Sequence, residues 1–388
     1  MKRIWIFLLA VLLSLSLAGC GGKTEEEDPP APPEEEEESA VEPTEEEKRA
    51  ARVQELLDGM TPEEKVGQLF FLRCPDGPDA VGIVEQYQVG GVLLFSKDYK
   101  DLNGDWLSRK DFVNTVAALK NAPRIPAFIG SDEEGGTVTR ASRNPNLFGA
   151  KFPSPQELLE QGGTEELLAR SREYNAALKA FGITVNFAPV CDVTSGEGQF
   201  MYERSMGKAA EETAELISAL VPAMQESGMS AMLKHFPGYG DNVDTHTGIA
   251  VDERSLAQLR SEDFLPFSAG IEAGANFVLV NHNIVKCMDE TMPASLSSAV
   301  HDILRTELQF EGIILPDDLD MDAVKQYADG GRVAELALLA GNDMILLSDV
   351  SQIEALIEAV KNGSVSESLI DEHCGRILTV KLQTGVLQ

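Results

Sequence analysis

The sequence predicts an α/β chain closed into a single TIM-type (β/α)8 barrel, and three observations carry that expectation. Eight short apolar runs recur, at Gln68–Leu72, Gly91–Phe95, Pro126–Ile129, Thr184–Ala188, Met229–Leu233, Asn276–Val280, Gly312–Leu315 and Asp343–Leu347. Longer segments with apolar residues at helical spacing separate them, among them Glu165–Ala180, Glu211–Glu226, Ser297–Leu308 and Val333–Ala340. Polar residues then stand just past the ends of successive runs. Continuous apolar runs of this length suit strands buried on both faces, and their alternation with helices suits parallel βα units. In such a barrel the groups past the strand ends converge on one face, where active sites lie.

The elements follow in order from the N-terminus. Residues 1–20 have a basic start (Lys2, Arg3), an apolar stretch from Ile4 to Leu17, and Leu17-Ala18-Gly19-Cys20. This is the pattern of a secretory signal ending in a lipobox, with Cys20 the expected site of lipidation. The stretch is short for a membrane span, so the expected state is lipid-anchored on the outer face of the cell membrane. Residues 21–47 hold thirteen acidic residues, five prolines and one lysine, which predicts a disordered, self-repelling tether.

The barrel is expected over residues 48–388, roughly 340 residues, a normal length for one barrel domain. The whole chain carries a formal charge of −32, of which the tether supplies about −12, so the folded part is acidic too. That charge excludes nucleic acid as an expected partner. Cys74, Cys191, Cys287 and Cys374 show no Cys-x-x-Cys and no metal-type spacing, and read as buried free thiols. No metal and no organic cofactor is expected, and a monomer is the default.

Within the barrel, the first run carries the weakest strand pattern. Asp132 follows the third run, Asp192 the fourth, Lys234-His235 the fifth, Asn281-His282 the sixth, and Asp317-Asp318 the seventh. Any one of them could be a strand-end cap, but five in register point to a site. His282 reads either as a site contact or as a strand-end hydrogen bonder. His301 and His373 lie in helical segments and read as structural, and Met321 as core.

The densest signal is Lys234-His235-Phe236-Pro237-Gly238-Tyr239-Gly240 followed by Asp244-Thr245-His246. The glycines and proline allow a loop to fold back over a pocket. An aspartate two residues before a histidine can fix the imidazole tautomer and raise its basicity, as a general acid/base needs. Asp317 stands at the tip of an otherwise apolar run, Ile314-Leu315-Pro316. A carboxylate there could attack an anomeric carbon while a second group protonates the leaving oxygen. His246, oriented by Asp244, is the candidate acid, since an imidazole titrates near neutral pH.

These segments, with Pro293-Ala294-Ser295-Leu296-Ser297 and Gly312–Met321, resemble glycoside hydrolase family 3. The match is to its single-barrel bacterial β-N-acetylhexosaminidase branch. Further similar segments are Asp132–Gly136 with Arg140, Asn186–Val193, Arg204-Ser205 and Ala340–Met344, so the resemblance runs from about Leu56 to the C-terminus. It implies a retaining mechanism through a covalent glycosyl-aspartate, with Asp317 as nucleophile and His246 as acid/base assisted by Asp244. It also implies that Asp132, Arg140, Arg204, Lys234 and His235 hold the hydroxyls of the terminal sugar. Other branches take their acid from a second domain, and a chain ending after one barrel is expected to use an internal His–Asp pair.

The chain departs from the family pattern in four places. Tyr239 stands where a second histidine is usual, Ala250 where a proline is, and Glu203 where an aspartate precedes the arginine. The preceding loop reads Thr194-Ser195-Gly196-Glu197-Gly198 in place of an Asn-Pro-rich one. These changes bear on acceptor-side specificity. The expected activity is release of terminal N-acetylglucosamine from cell-wall or chitin-type oligosaccharides. The competing readings are a glucosidase-like β-glycosidase of the same fold and a sugar-binding lipoprotein without catalysis.

Overall fold

A capping box opens the first helix: the Thr44 hydroxyl accepts from the Glu47 amide while the Glu47 carboxylate accepts from the Thr44 amide. The computed structural model describes residues 43–194, 196–242, 248–327 and 332–388. Asp244, His246 and Cys20 therefore lie outside the described residues. Helix α1 (Glu45–Asp58) begins inside the segment expected to be tether. Composition alone missed this because Glu45–Glu47, acidic like the tether, also favour the first turn of a helix, where its dipole attracts negative charge.

Helix α2 (Pro62–Gln68), opened by a second capping box at Thr61, leads into β1 (Phe70–Arg73). Then come α3 (Ala80–Tyr87), β2 (Gly91–Leu94), α4 (Arg109–Asn121), β3 (Phe128–Ser131), α5 (Pro155–Ala180) and β4 (Val185–Asn186). Helix α6 (Ala210–Gln225) precedes β5 (Ser230–Phe236), followed by β6 (Val251–Asp252), α7 (Leu256–Ser261), α8 (Phe264–Glu272), β7 (Phe277–Val280) and β8 (Ile284–Val285). The chain ends with α9 (Ser298–Asp302), β9 (Ile313–Pro316), α10 (Asp322–Lys325), α11 (Val333–Ala340), β10 (Ile345–Leu347), α12 (Ser351–Lys361) and α13 (Glu367–Gln383).

Eight of these strands form one parallel sheet in the order β10-β1-β2-β3-β4-β5-β7-β9. Each falls within or beside one of the eight apolar runs. The two ends of the sheet meet across an aspartate. The amides of Asp343 and Met344 donate to the Ile314 carbonyl at 2.7 and 3.1 Å, and the Ile314 amide donates to the Asp343 carboxylate at 2.7 Å. A carboxylate thus replaces part of the missing ladder, so the fold is a TIM-type barrel without an exposed sheet edge at this seam.

Buried aromatic rings fill the interior, which is why two strands carry glycine. Phe71 and Phe187 meet edge to face at 5.4 Å, and a Cβ on Gly130 would lie 2.6 Å from the Phe187 ring. A Cβ on Gly91 would press on Phe71 in the same way, at 2.7 Å. Cys74, Cys191 and Cys374 are buried free thiols as expected, but Cys287 is exposed. It follows the two-residue strand β8, where no core covers it. Among the described residues no helix is long and apolar enough to cross a membrane.

Candidate active site

The barrel sets Arg73, Asp132 and Asp317 at or just past the carboxyl ends of β1, β3 and β9, and Lys234 in the last residues of β5. All four line one cleft of about 360 Å3, with Phe95, Arg140, Arg204, His235, Tyr239 and Asp318 among the other lining residues. That volume is at the small end for ligand pockets, about 300–1,000 Å3. Six residues singled out in the sequence, Asp132, Arg140, Arg204, Lys234, His235 and Asp317, are thereby brought together.

Lys234 is the centre of the polar cluster. Its ammonium lies 2.9 Å from Asp132 Oδ1 and 2.5 Å from Glu134 Oε1. Burial by itself would lower the Lys234 pKa, but the two carboxylates hold it above its usual value. Burial would likewise raise that of Glu134, yet Arg204 and Lys234 keep it well below the carboxylate range. Arg204 grips Glu134 with a two-pronged contact, Nε at 2.9 Å and Nη2 at 2.7 Å. Arg140 approaches Asp132 at 3.6 Å and lies over the Phe95 ring.

His235 is held from both ring nitrogens. Arg204 Nη2 lies 3.2 Å from its Nε2, and Asp192 Oδ2 lies 2.7 Å from its Nδ1. A guanidinium only donates, so Nε2 accepts and Nδ1 carries the proton toward Asp192. Asp192 also accepts from the amides of His235 and Tyr239, at 3.1 and 2.8 Å, which fixes the chain as it leaves β5.

Asp317 stands just past β9, where its amide donates to the Val280 carbonyl at 2.7 Å and its Oδ1 accepts from the Asp318 amide at 2.8 Å. Its neighbour differs in character. Burial pushes the Asp318 carboxyl up to about 7, with Arg73 3.4 Å away opposing that rise. His282 donates from Nε2 to the Asp318 carbonyl at 3.0 Å and meets Ser295 Oγ at 2.7 Å through Nδ1. With both nitrogens engaged, it is the strand-end hydrogen bonder of the two readings left open.

Sequence reasoning placed Asp192 and Asp318 among the strand-end groups but gave them no individual role, and it did not single out Arg73, Phe95 or Glu134 for the site. Arg73 follows the weakest run, and the strand-end rule applied there would have found it. Glu134 was hidden in three consecutive acids: Asp132 and Glu134 both reach Lys234, whereas Glu133 turns away to accept from the Arg140, Ala141 and Ser142 amides. His301 and His373 are structural as expected; His373 Nδ1 lies 2.8 Å from Asp343 at the barrel seam. Among the described residues no cluster of His, Cys, Asp and Glu has the arrangement of a metal site.

A parallel barrel with acids, cations and a histidine converging past its strand ends is the architecture of a barrel enzyme. The glycosyl hydrolase family 3 N-terminal domain model matches residues 61–380, and the chain belongs to that family; it is a glycoside hydrolase. It is 33% identical over 299 residues to a beta-hexosaminidase of Stenotrophomonas maltophilia, covering 74% of this chain and 84% of the relative. A family 3 beta-N-acetylglucosaminidase structure from Paenibacillus sp. superposes with a TM-score of 0.76 at 30% identity, over 84% of this chain and 63% of that one. LpqI of Mycobacterium tuberculosis does so with a TM-score of 0.74 at 29% identity, over 86% of this chain and 96% of that one.

Proposed function

We propose that this glycoside hydrolase is a retaining exo-β-N-acetylhexosaminidase that releases terminal N-acetylglucosamine from cell-wall or chitin-type oligosaccharides. The observation that carries this reading is the meeting, in one small cleft, of a strand-tip carboxylate, Asp317, with the Lys234–Asp132–Arg140–Arg204–His235 cluster. The names of its relatives, beta-hexosaminidase and beta-N-acetylglucosaminidase, support the 2-acetamido substrate class.

In this mechanism Asp317 attacks the anomeric carbon, the glycosidic C–O bond breaks, and a glycosyl ester forms. His246, oriented by Asp244, gives its proton to the departing oxygen and then removes one from the water that cleaves the ester. Asp318 is a poor alternative nucleophile, because a carboxyl pushed up to about 7 is half protonated at neutral pH. Asp132, Lys234, Arg140, Arg204 and His235 bind the sugar hydroxyls, with the Lys234 and Arg204 charges fixed by Glu134 before substrate arrives. The enzyme works as a monomer at the outer face of the cell membrane, tethered through a lipid on Cys20.

The test compares aryl β-N-acetylglucosaminide, β-glucoside and β-xyloside as substrates. Preference for the first is expected, and preference for the glucoside would favour the glucosidase-like reading. The leaving-group dependence of His246→Ala tests the acid. Its loss should be about 10²–10⁴-fold on a disaccharide, with far less loss of the glycosylation step on an aryl glycoside of an acidic phenol. Asp244→Ala should cost less, since the imidazole remains. An unchanged leaving-group slope in His246→Ala would assign the proton to another residue.

A further inference from the structure

Arg204 reaches the cleft from a single 3₁₀ turn, Tyr202–Arg204, in the loop between β4 and α6. Within that turn the Arg204 amide donates to the Met201 carbonyl at 3.1 Å, and Ser205 Oγ donates to the Tyr202 carbonyl at 2.8 Å. One 3₁₀ turn is a weak support, yet its guanidinium must meet Glu134 at 2.7 and 2.9 Å and His235 at 3.2 Å. A further support comes from outside the cleft. Gln156, in the first turn of α5, donates from Nε2 to the Tyr202 carbonyl at 2.5 Å and to the Ser205 carbonyl at 3.3 Å, one on either side of Arg204. Gly207 makes room for this arm: its φ is +64°, and a Cβ there would lie 2.7 Å from Gln156 Cδ.

The same stretch of chain supports the other half of the Glu134–Arg204 pair. The Gly136 amide donates to the Phe152 carbonyl at 2.9 Å, and a Cβ on Gly135 would lie 2.1 Å from the Pro153 carbonyl oxygen. Those two glycines follow Glu134 directly. Phe152 is fixed by a parallel stack on Tyr174, with ring centroids 3.7 Å apart. A capping box between Ser154 and Glu157 then sets the start of α5, from which Gln156 projects. The helix loses its regular backbone at Gly162 and Gly163, so local contacts place the part that bears Gln156. Gln156 is half-buried and does not line the cleft.

We propose that Gln156 is a positioning residue for the terminal sugar: by holding the carbonyls on both sides of Arg204, it fixes where that guanidinium stands beside Glu134, His235 and the sugar hydroxyls. This rests on Arg204 binding the sugar. Gln156 touches no substrate and acts through Arg204 alone. A contact made to the sugar before and during the reaction alike is uniform binding, so its loss raises KM more than it lowers kcat.

The experiment measures kcat and KM for an aryl β-N-acetylglucosaminide and the inhibition constant of free N-acetylglucosamine. The proteins are wild type, Gln156→Glu, Gln156→Met, Gln156→Lys, Arg204→Ala and the double variant Gln156→Met with Arg204→Ala, and thermal melting identifies any that fails to fold. Gln156→Glu and Gln156→Met keep the size of the side chain but at neutral pH give no proton to the two carbonyls. Both should raise KM and the inhibition constant roughly tenfold, the size of a lost hydrogen-bonding partner. Gln156→Lys restores a donor and should recover most of that loss, which a side chain that only filled space would not require. The double variant should be no worse than Arg204→Ala, because a residue acting only through Arg204 has nothing left to aim. Wild-type sugar affinity in Gln156→Glu and Gln156→Met, or additive losses in the double variant, would overturn the proposal while leaving Arg204 in its role. If Arg204→Ala does not fold, the three Gln156 variants decide by themselves. Unchanged sugar affinity in a folded Arg204→Ala would instead overturn the assignment of Arg204 to the sugar on which this rests.

Discussion

Lys234 and Glu134 lie 2.5 Å apart with 3% and 2% of their side chains exposed, from strand ends that are a hundred residues apart in sequence. The pair is completed by Arg204 on Glu134 and Asp132 on Lys234, so two cations and two carboxylates share one nearly dry site. Such a cluster is costly to assemble and costly to break, since removing one member leaves its partners buried and uncompensated. It keeps donors and acceptors aimed into the cleft without waiting for substrate.

Glu134→Gln should therefore destabilise the enzyme by about 3–5 kcal/mol and raise KM, because Lys234 and Arg204 lose their common anchor. Glu134 has a depressed pKa, so its contribution is present above the unfolded value and lost only as pH falls through the folded one. Denaturant midpoints for wild type and variant should stay separated at pH 6–8. Coincident midpoints would show that the cluster contributes no stability.

The nucleophile assignment predicts that a slow substrate fluorinated on the sugar ring labels Asp317 covalently. Asp317→Asn should lose turnover roughly 10³-fold or more with its melting temperature little changed, because it stands at a strand tip and not in the packed core. Peptide mapping that found the label on Asp318 would overturn the assignment.

Asp318→Asn gives a pH signature. Its carboxyl is held up to about 7 by burial against an ordinary value of 3.8, so ionising it costs stability. The folded state keeps the proton that the unfolded state gives up, and stability is lost as pH rises from about 4 to 7. The variant should gain melting temperature relative to wild type on going from pH 4 to pH 8. A difference independent of pH would contradict the shift.

Lys381 is fully buried beneath the barrel, donates to Gln68 Oε1 at 2.6 Å, and lies over the Phe128 ring. Burial brings its pKa down to about 7 from 10.5, so the unfolded chain binds a proton across that interval which the folded chain does not. Wild-type stability should therefore rise with pH between about 7 and 10.5. Lys381→Met removes this dependence but orphans Gln68 Oε1, at about 1–3 kcal/mol. Relative to wild type the variant should fare best near pH 7 and worst near pH 10, and melting curves across that range check the order.

Cys20→Ala should move the protein out of the membrane fraction, since one lipid and no spanning segment is expected to hold it. Membrane retention of an unlipidated, signal-cleaved form would point to a different anchor.

Much of the fold was legible in the sequence because a strand buried on both faces leaves a continuous apolar run. All eight runs became barrel strands, and Asp132, Lys234 and Asp317 could be placed from their position past a run. The strands β6 and β8 were not legible: two residues each are too few to show a period, and only one residue of each is fully buried. Nor could the sequence tell that Glu134 joins Asp132 on Lys234 while Glu133 turns away, since facing depends on which cation arrives from β5.

What the sequence determined by itself was the order of strands and helices, the strand-end positions of the polar groups, and the residue types available for chemistry. These follow from local periodicity and from the rule that parallel βα units wind in one direction. Only the tertiary structure decided the partners. Arg204 reaches Glu134 across 70 residues, Arg73 faces Asp318 across the barrel seam, and Asp343 replaces backbone at that seam. The physical reason is that a buried charge must be matched wherever closure of the barrel puts it. That match is made in space between side chains whose separation along the chain carries no signal.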